Sequence, residues 1–284
     1  MSGLLRLVQL FQWLLLSLCL QPAFANEAPV DAGEVLIDSE LQEFHELYQA
    51  FLNDHVKLGK KNGLSANMVD YAAVKKDERL RQLLALLNAY PKERLDSTSK
   101  TIAFYLNAYN ILAIDKVAKH WPLFKLKSLG SYFKPVWAHP AGEVCGEPVT
   151  LRSLEHEILR KQGEPRIHFA LNCASMSCPD LRLEPYVAGK LEEQLQDQTR
   201  IFFGQKKGVV VNAEKLKLSK IFDWFEEDFE EGGGVLAFVT DYLPKVEKSW
   251  QIEGYLDYDW AVNDELSGAE LMRIKRGGSN TWFN

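Results

Sequence analysis

Cysteine is scarce in this chain. Four occur in 284 residues, at Cys19, Cys145, Cys173 and Cys178. So few thiols cannot staple a chain of this length, so its core has to come from apolar burial. Long apolar runs are missing as well. The longest, around Leu10 to Leu20, falls short of the roughly 20 residues that a membrane span needs. Positive charge is not in excess: the formal net charge is −6. Lys60-Lys61, Lys75-Lys76 and Lys206-Lys207 are isolated pairs that read as solvated surface. A chain without a basic block is not expected to bind nucleic acid. There is no internal repeat, and no break in composition between 34 and 265.

What is present begins with a leader. Arg6 precedes the apolar run, and Ala23-Phe24-Ala25 forms a small-x-small cleavage site before Asn26. This is the form of a secretory signal peptide. A membrane anchor is the competing reading, and the short run argues against it. Lipid attachment at Cys19 is disfavoured by the bulky Leu18 beside it. The expectation is an exported protein, periplasmic or secreted, with no membrane span after cleavage. Cys145, Cys173 and Cys178 then remain, an odd set that leaves one thiol unpaired and allows one bridge.

The expected organisation is a leader at 1–25, a mobile linker at 26–38, one α+β domain at 39–265 and a loosely attached tail at 266–284. Helical spacing of Leu41, Phe44, Leu47, Tyr48, Phe51 and Leu52 predicts a helix over 39–58. KKNGL at 60–64 predicts a turn. Helices follow at 79–89 and 99–120, the latter apolar on all sides and therefore buried. A hairpin is expected at 143–149, an amphipathic helix at 150–162 and a strand at 166–171. A helix at 185–203, a strand pair at 208–218, helices at 221–227 and 234–243 and a last strand at 251–260 complete the reading. Helices packed on a small mixed or antiparallel sheet, with one central buried helix, is the fold class this predicts.

The chemistry lies in polar groups where apolar ones are expected. Asn107 and Asn110 sit three apart in the buried helix and share a face. An unpaired buried amide costs about 1–3 kcal/mol, so something polar must meet them, either a neighbouring backbone or a site. Glu155 and His156 lie on the amphipathic helix, as an exposed pair or as members of the same site. The stretch RIHFALNCASMSCPD, Arg166 to Asp180, then supplies His168 and Asn172 on one face of the expected strand, with Cys173 and Cys178 in the loop beyond.

Three chemistries compete there. A zinc site needs about four ligands, and His168, Cys173 and Cys178 supply three at most, so neither metal nor cofactor is expected. A Cys173–Cys178 bridge would staple the loop, worth roughly 2 kcal/mol. A Cys173 nucleophile would need a base, His168 or His156, and an orienting group among Asn107, Asn110 and Glu155. Loop amides after Cys173 would then hold the oxyanion. Asp257 and Asp259 in YLDYDW share a face, and Asp259 is the better candidate to orient a histidine.

With these pieces in order, the chain resembles the family known as domain of unknown function 547, found in bacteria and, in larger fusions, in plants. The matching pieces are FYLNAYN (104–110), LRSLEHEILR (151–160), RIHFALNCASMSCP (166–179), FDWFEEDF (222–229) and YLDYDW (255–260), covering most of 65–265. The resemblance implies no assigned activity. It implies that the position of Cys173 is usually cysteine and that of Cys178 often serine in plant-like members, which favours a special role for Cys173 over an obligatory bridge. Cys145 has no counterpart in that pattern.

Two functional expectations follow. One is a thiol-dependent hydrolase or acyltransferase acting on a small molecule or peptide, with a pocket of Asn107, Asn110, His156, His168, Cys173 and Asp259. The other is a noncatalytic envelope binding or scaffold module in which a Cys173–Cys178 bridge staples the loop.

Overall fold

The structure is a computed structural model that describes residues 32–131 and 134–275. The expected leader, and residues 26–31 of the expected linker, lie outside the described residues. Contacts divide the chain into Met1–Gln42 and Glu43–Asn284, and the site belongs to the second unit.

The first helix, α1, runs Ala32–His55, so 32–38 is helical where a mobile linker is expected. The apolar Val35-Leu36-Ile37 continues the helical pattern instead of breaking it. Strands β1 (Val56–Lys61) and β2 (Leu64–Val69) form a hairpin. Its two-residue turn puts Asn62 and Gly63 at φ 54° and 81°, the left-handed pair that an Asn-Gly turn favours.

A short helix α2 (Tyr71–Val74) is capped by Asp70, and α3 (Glu78–Ala89) by Asp77, whose carboxylate accepts from the Arg79 amide. Helix α4 (Thr98–Lys119) starts at the Ser97 cap and is buried without interruption from Ile102 to Ala118. It is the predicted central helix, and its all-round apolar surface is the reason.

A second hairpin, β3 (Pro140–Val144) and β4 (Glu147–Thr150), turns at Cys145 and Gly146 (φ 53° and 75°). Thr150 and Ser153 then cap each other's amides at the start of α5 (Leu151–Ser153). The helix continues as a π turn over Leu154–Leu159 and tightens over Arg160–Gln162.

The expected strand at 166–171 is instead a helical turn, α6 (Ile167–Ala170). Among the described residues it pairs with no strand. Its amides find local acceptors, Phe169 on Arg166 O and Leu171 on Ile167 O. A short run that is apolar apart from Arg166 and His168 reads equally well as a strand or a buried helical turn, and here the helix wins. Helix α7 (Leu191–Phe203) follows.

Strands β5 (Val209–Asn212) and β6 (Lys215–Leu218) pair antiparallel. Helices α8 (Ile221–Trp224) and α9 (Val235–Tyr242) fill the crossover to β7 (Gln251–Tyr255), which joins β6 in parallel. β7 stops at Tyr255, so 256–260 is irregular where the last strand is expected to continue. The expected loose tail holds α10 (Gly268–Lys275), anchored by buried Leu271.

The class is α+β, as expected, but among the described residues the strands form three separate small sheets rather than one. Two apolar centres organise them. One surrounds α4. The other is a phenylalanine cluster of Phe169, Phe202, Phe203, Phe222 and Phe229 against the β5–β6–β7 sheet. α6 places Phe169 in the second cluster, and the cysteine loop leaves from its end.

Candidate functional site: an aromatic cleft over a thiol

Helix α4 prepares the site from behind. Asn110 donates to Ala170 O (3.0 Å) and accepts from the Asn172 amide (2.9 Å), clamping both sides of the exit from α6. Asn107 makes the same pair of bonds to Tyr186, 2.8 and 2.9 Å. Both amides are spent on backbone, so neither lines the cleft. The site role proposed for them is corrected: they are loop clamps, and buried polar groups of this kind are kept because each bond is made.

Asn172 carries the order into the loop. Its side chain donates to Pro179 O (2.7 Å) and accepts from the Ala174 amide (2.9 Å). Ala174 is held at φ 60°, a strained angle for a residue with a Cβ. The turn it makes returns Cys178 to Cys173. The Cys173 amide donates to the Cys178 sulfur (2.8 Å), and the Cys178 thiol lies 2.7 Å from the Cys173 sulfur. Both are free thiols, and a disulfide requires about 2.05 Å. Ser175 Oγ at 3.2 Å and Tyr258 Oη at 3.4 Å complete the surroundings of the Cys173 sulfur. The Ser175 and Tyr258 hydroxyls also lie 3.2 Å from each other.

These donors decide the charge. The Cys178 hydrogen bond, working against burial and helped by Ser175 and Tyr258, brings the Cys173 thiol down to about 7. Burial and the neighbouring sulfur push Cys178 well up. Of the pair, Cys173 is the more acidic thiol. It is also the one partly exposed, while Cys178 is buried.

Cys173 lies along a cleft of about 480 Å³ together with Glu155, His156, His168 and a set of aromatic rings. Trp224 stacks on Trp260 (centroids 5.6 Å apart), Tyr258 packs on Trp260 (4.5 Å), and Trp137 meets Trp260 edge-on (5.6 Å). No histidine is hydrogen-bonded to Cys173.

His168, on α6, instead turns toward Asp228. Its Nε2 is 2.6 Å from Asp228 Oδ2, and its ring stacks on Phe225 at 4.0 Å. Arg160 grips the same carboxylate at 2.7 and 2.6 Å and also donates to His156 Nδ1 (2.9 Å). Burial would raise the Asp228 pKa, but the His168 and Arg160 bonds outweigh it and hold the group well below the usual carboxylate range. Burial lowers His168, and burial with Arg152 and Arg160 nearby lowers His156, so both are neutral at pH 7. An ionised Asp228 only accepts, so the His168 proton sits on Nε2. Nδ1 is then bare, buried and without a partner. It faces Glu155 Oε1 across 3.9 Å.

Glu155 completes the arrangement. Burial first, then the Cys173 charge, push its carboxyl up to about 8 against the opposing pull of Arg160. It keeps its proton at neutral pH. Of the cleft's acid and histidine groups, it is the Glu155 carboxyl whose titration the Cys173 charge shifts.

The remaining expectations fare differently. Cys173, His168 and His156 do share one cleft. Asp259 orients no histidine: it accepts from Asn62 Nδ2 (2.7 Å) and the Ala261 amide (2.9 Å) and shapes its own loop. The amides after Cys173 do not form an oxyanion hole. Those of Ala174, Met176, Ser177 and Cys178 bond Asn172, Ala261, Asp259 and Ser175, and the Ser175 amide is directed at the Cys173 sulfur. Cys145 is free on its hairpin turn. Asp228 and Tyr258 escaped the sequence reading. Asp228 is one of four acids in FDWFEEDF, and no spacing distinguishes it. Tyr258 lies between the two aspartates that drew attention.

Residues 93–203 match the model of a family described as protein of unknown function, DUF547. Over this stretch the chain is similar to that family. The match is narrower than the resemblance over 65–265. The DUF547 stretch contains α4 with its two asparagines, Glu155, His156, Arg160, His168 and both cysteines of the loop. Asp228 and the aromatic wall of Trp224, Tyr258 and Trp260 lie beyond it. No curated protein and no solved structure matches the chain.

Proposed function

We propose that the protein is a thiol-dependent hydrolase or acyl transferase with Cys173 as nucleophile. The observation that carries this reading is the cleft-facing sulfur of Cys173, ringed by the donors Cys178, Ser175 and Tyr258. Thiolates, not thiols, attack, and a thiol with a pKa near ambient pH combines a large thiolate fraction with high nucleophilicity.

The reaction runs in two steps. The Cys173 thiolate attacks an acyl carbon, forming a C–S bond and an oxyanion, which the Tyr258 hydroxyl is placed to meet. As the oxyanion collapses, the bond to the leaving group breaks and that group takes the Glu155 proton. Water, or an acceptor nucleophile, then attacks the thioester. Glu155 recovers its proton from it, and Cys173 leaves as thiolate. His168 acts as a positioning residue: Asp228 fixes its tautomer, and its bare Nδ1 accepts from the Glu155 carboxyl when the two close their gap. Catalytic bonds of this kind are often long before substrate binds.

A second reading rests on a separate observation, the short contact between the two sulfurs. A small-molecule disulfide would be attacked by Cys173, releasing one thiolate. Cys178 would then lose its proton and displace the second, closing the Cys173–Cys178 bond. In that form the protein is a noncatalytic binding module with a stapled loop. Mass-mapped alkylation by iodoacetamide separates the two. Cys173 labelled in the protein as isolated supports the nucleophile. Labelling only after a reductant supports the staple. The proposal includes export, with the leader removed after Ala25.

A further inference from the structure

We infer that the cleft takes a carboxylate-bearing acyl donor, with Arg152 as the seat of its negative charge and the tryptophan wall as the seat of its apolar body. This rests on the reading of Cys173 as nucleophile.

The charges along the cleft are uneven. Arg152 lines it, is exposed, and makes no hydrogen bond or ion pair. Every other ionisable group there is neutral or engaged. Arg160 is spent on Asp228 and His156. Both histidines are uncharged, and Glu155 holds its proton. The cleft thus has one uncommitted cation on its wall and, apart from the attacking sulfur, no anion. A second cation, Lys127, sits 4.5 Å from the centre of the Trp260 ring. Apart from the sulfur, a cationic substrate would meet like charge at Arg152 and Lys127. A neutral one would leave Arg152 unused.

The body of the ligand is set by the rings. Trp137, Trp224, Tyr258 and Trp260 form a continuous aromatic face, and Trp224 is 43 % exposed, unusual for so large an apolar group. A flat or aliphatic acyl group would cover it. A single guanidinium fork matches one carboxylate through two parallel hydrogen bonds. Arg152 and Glu155 lie one helical turn apart, so a carboxylate on Arg152 leaves the far end of a short acyl chain near Cys173.

The test uses the reduced full-length protein. Alkylation of Cys173 by iodoacetate and by iodoacetamide is followed by peptide mass, with free cysteine as reference. Binding of 3-phenylpropionate and of 3-phenylpropanol is followed in parallel by tryptophan fluorescence. Wild type should favour iodoacetate over iodoacetamide, relative to free cysteine, by about five-fold more than Arg152→Gln does, the scale of an exposed ion pair. Wild type should also bind the phenylpropionate better than the alcohol, and Arg152→Gln should lose that preference. Identical reagent ratios and identical binding in both proteins would overturn the inference. A Cys173 inert to both reagents, beside Arg152-dependent phenylpropionate binding, would instead sink the nucleophile and leave the carboxylate site standing.

Discussion

A carboxyl beside a thiolate is costly when both are charged, and Glu155 avoids the cost by keeping its proton. Its side chain is 12 % exposed, and its pKa of about 8 stands well above the ordinary 4.5. The folded state therefore holds a proton that the unfolded chain releases above about pH 4.5. By linkage, this group's contribution makes stability fall as pH rises from about 4.5 to about 8. Above 7, Cys173 acts with the opposite sign, because its folded pKa lies below that of an ordinary thiol. Glu155→Gln should remove the lower slope and be more stable than wild type at pH 7 by about 1–3 kcal/mol, measured by denaturant melts across pH. An unchanged slope would mean the carboxyl is ionised in the fold. Neither the raised carboxyl nor its link to His168 could be read from spacing. Glu155 and His168 are thirteen positions apart in the sequence, and Asp228 is sixty beyond His168. They meet only in the fold, where Phe225 packs on the imidazole and His168 and Arg160 hold Asp228.

At the scale of elements, what could be read in advance was whatever periodicity or turn chemistry determines locally. The buried α4, the Asn62-Gly63 turn and the hairpin at Cys145-Gly146 all belong to that class. The run at 166–171 does not. Its four apolar residues, Ile167, Phe169, Ala170 and Leu171, suit a strand and a buried helical turn alike, and the local carbonyl acceptors decide it. That error moved His168 off the face of Asn172 and hid Asp228. The asparagine pair was rightly singled out as needing partners, and those partners proved to be backbone. Asn110→Ala should cost about 2–4 kcal/mol, because Ala170 O and the Asn172 amide both lose their partner inside the core. Asn107→Ala should cost a similar amount yet leave the Cys173 titration unchanged, since Tyr186 lies outside the cysteine loop. Denaturant melts read the first effect and alkylation rates the second. Loss of Cys173 reactivity in Asn107→Ala would return that residue to the site.

For the whole molecule, the class was predictable from the mix of helical and alternating patterns. The division of its strands into three small sheets was not, because pairing over long separations leaves no local mark. The site draws on both sides of the DUF547 boundary: the thiol, the histidines and Glu155 come from within 93–203, while Asp228 and the aromatic wall come from beyond it. The chemistry at Cys173 also has to suit the compartment, since an oxidising one favours the bridge. N-terminal sequencing of the protein made in its own cell should begin at Asn26, and an intact Met1 would contradict export. The central claim, that Cys173 is a thiolate at neutral pH, is tested most directly by its rate of alkylation with iodoacetamide across pH in the reduced protein. The account predicts a midpoint near 7, moving upward in Tyr258→Phe and Ser175→Ala as donors to the sulfur are lost. A midpoint at the ordinary thiol value of 9.0, unmoved by either substitution, would contradict it.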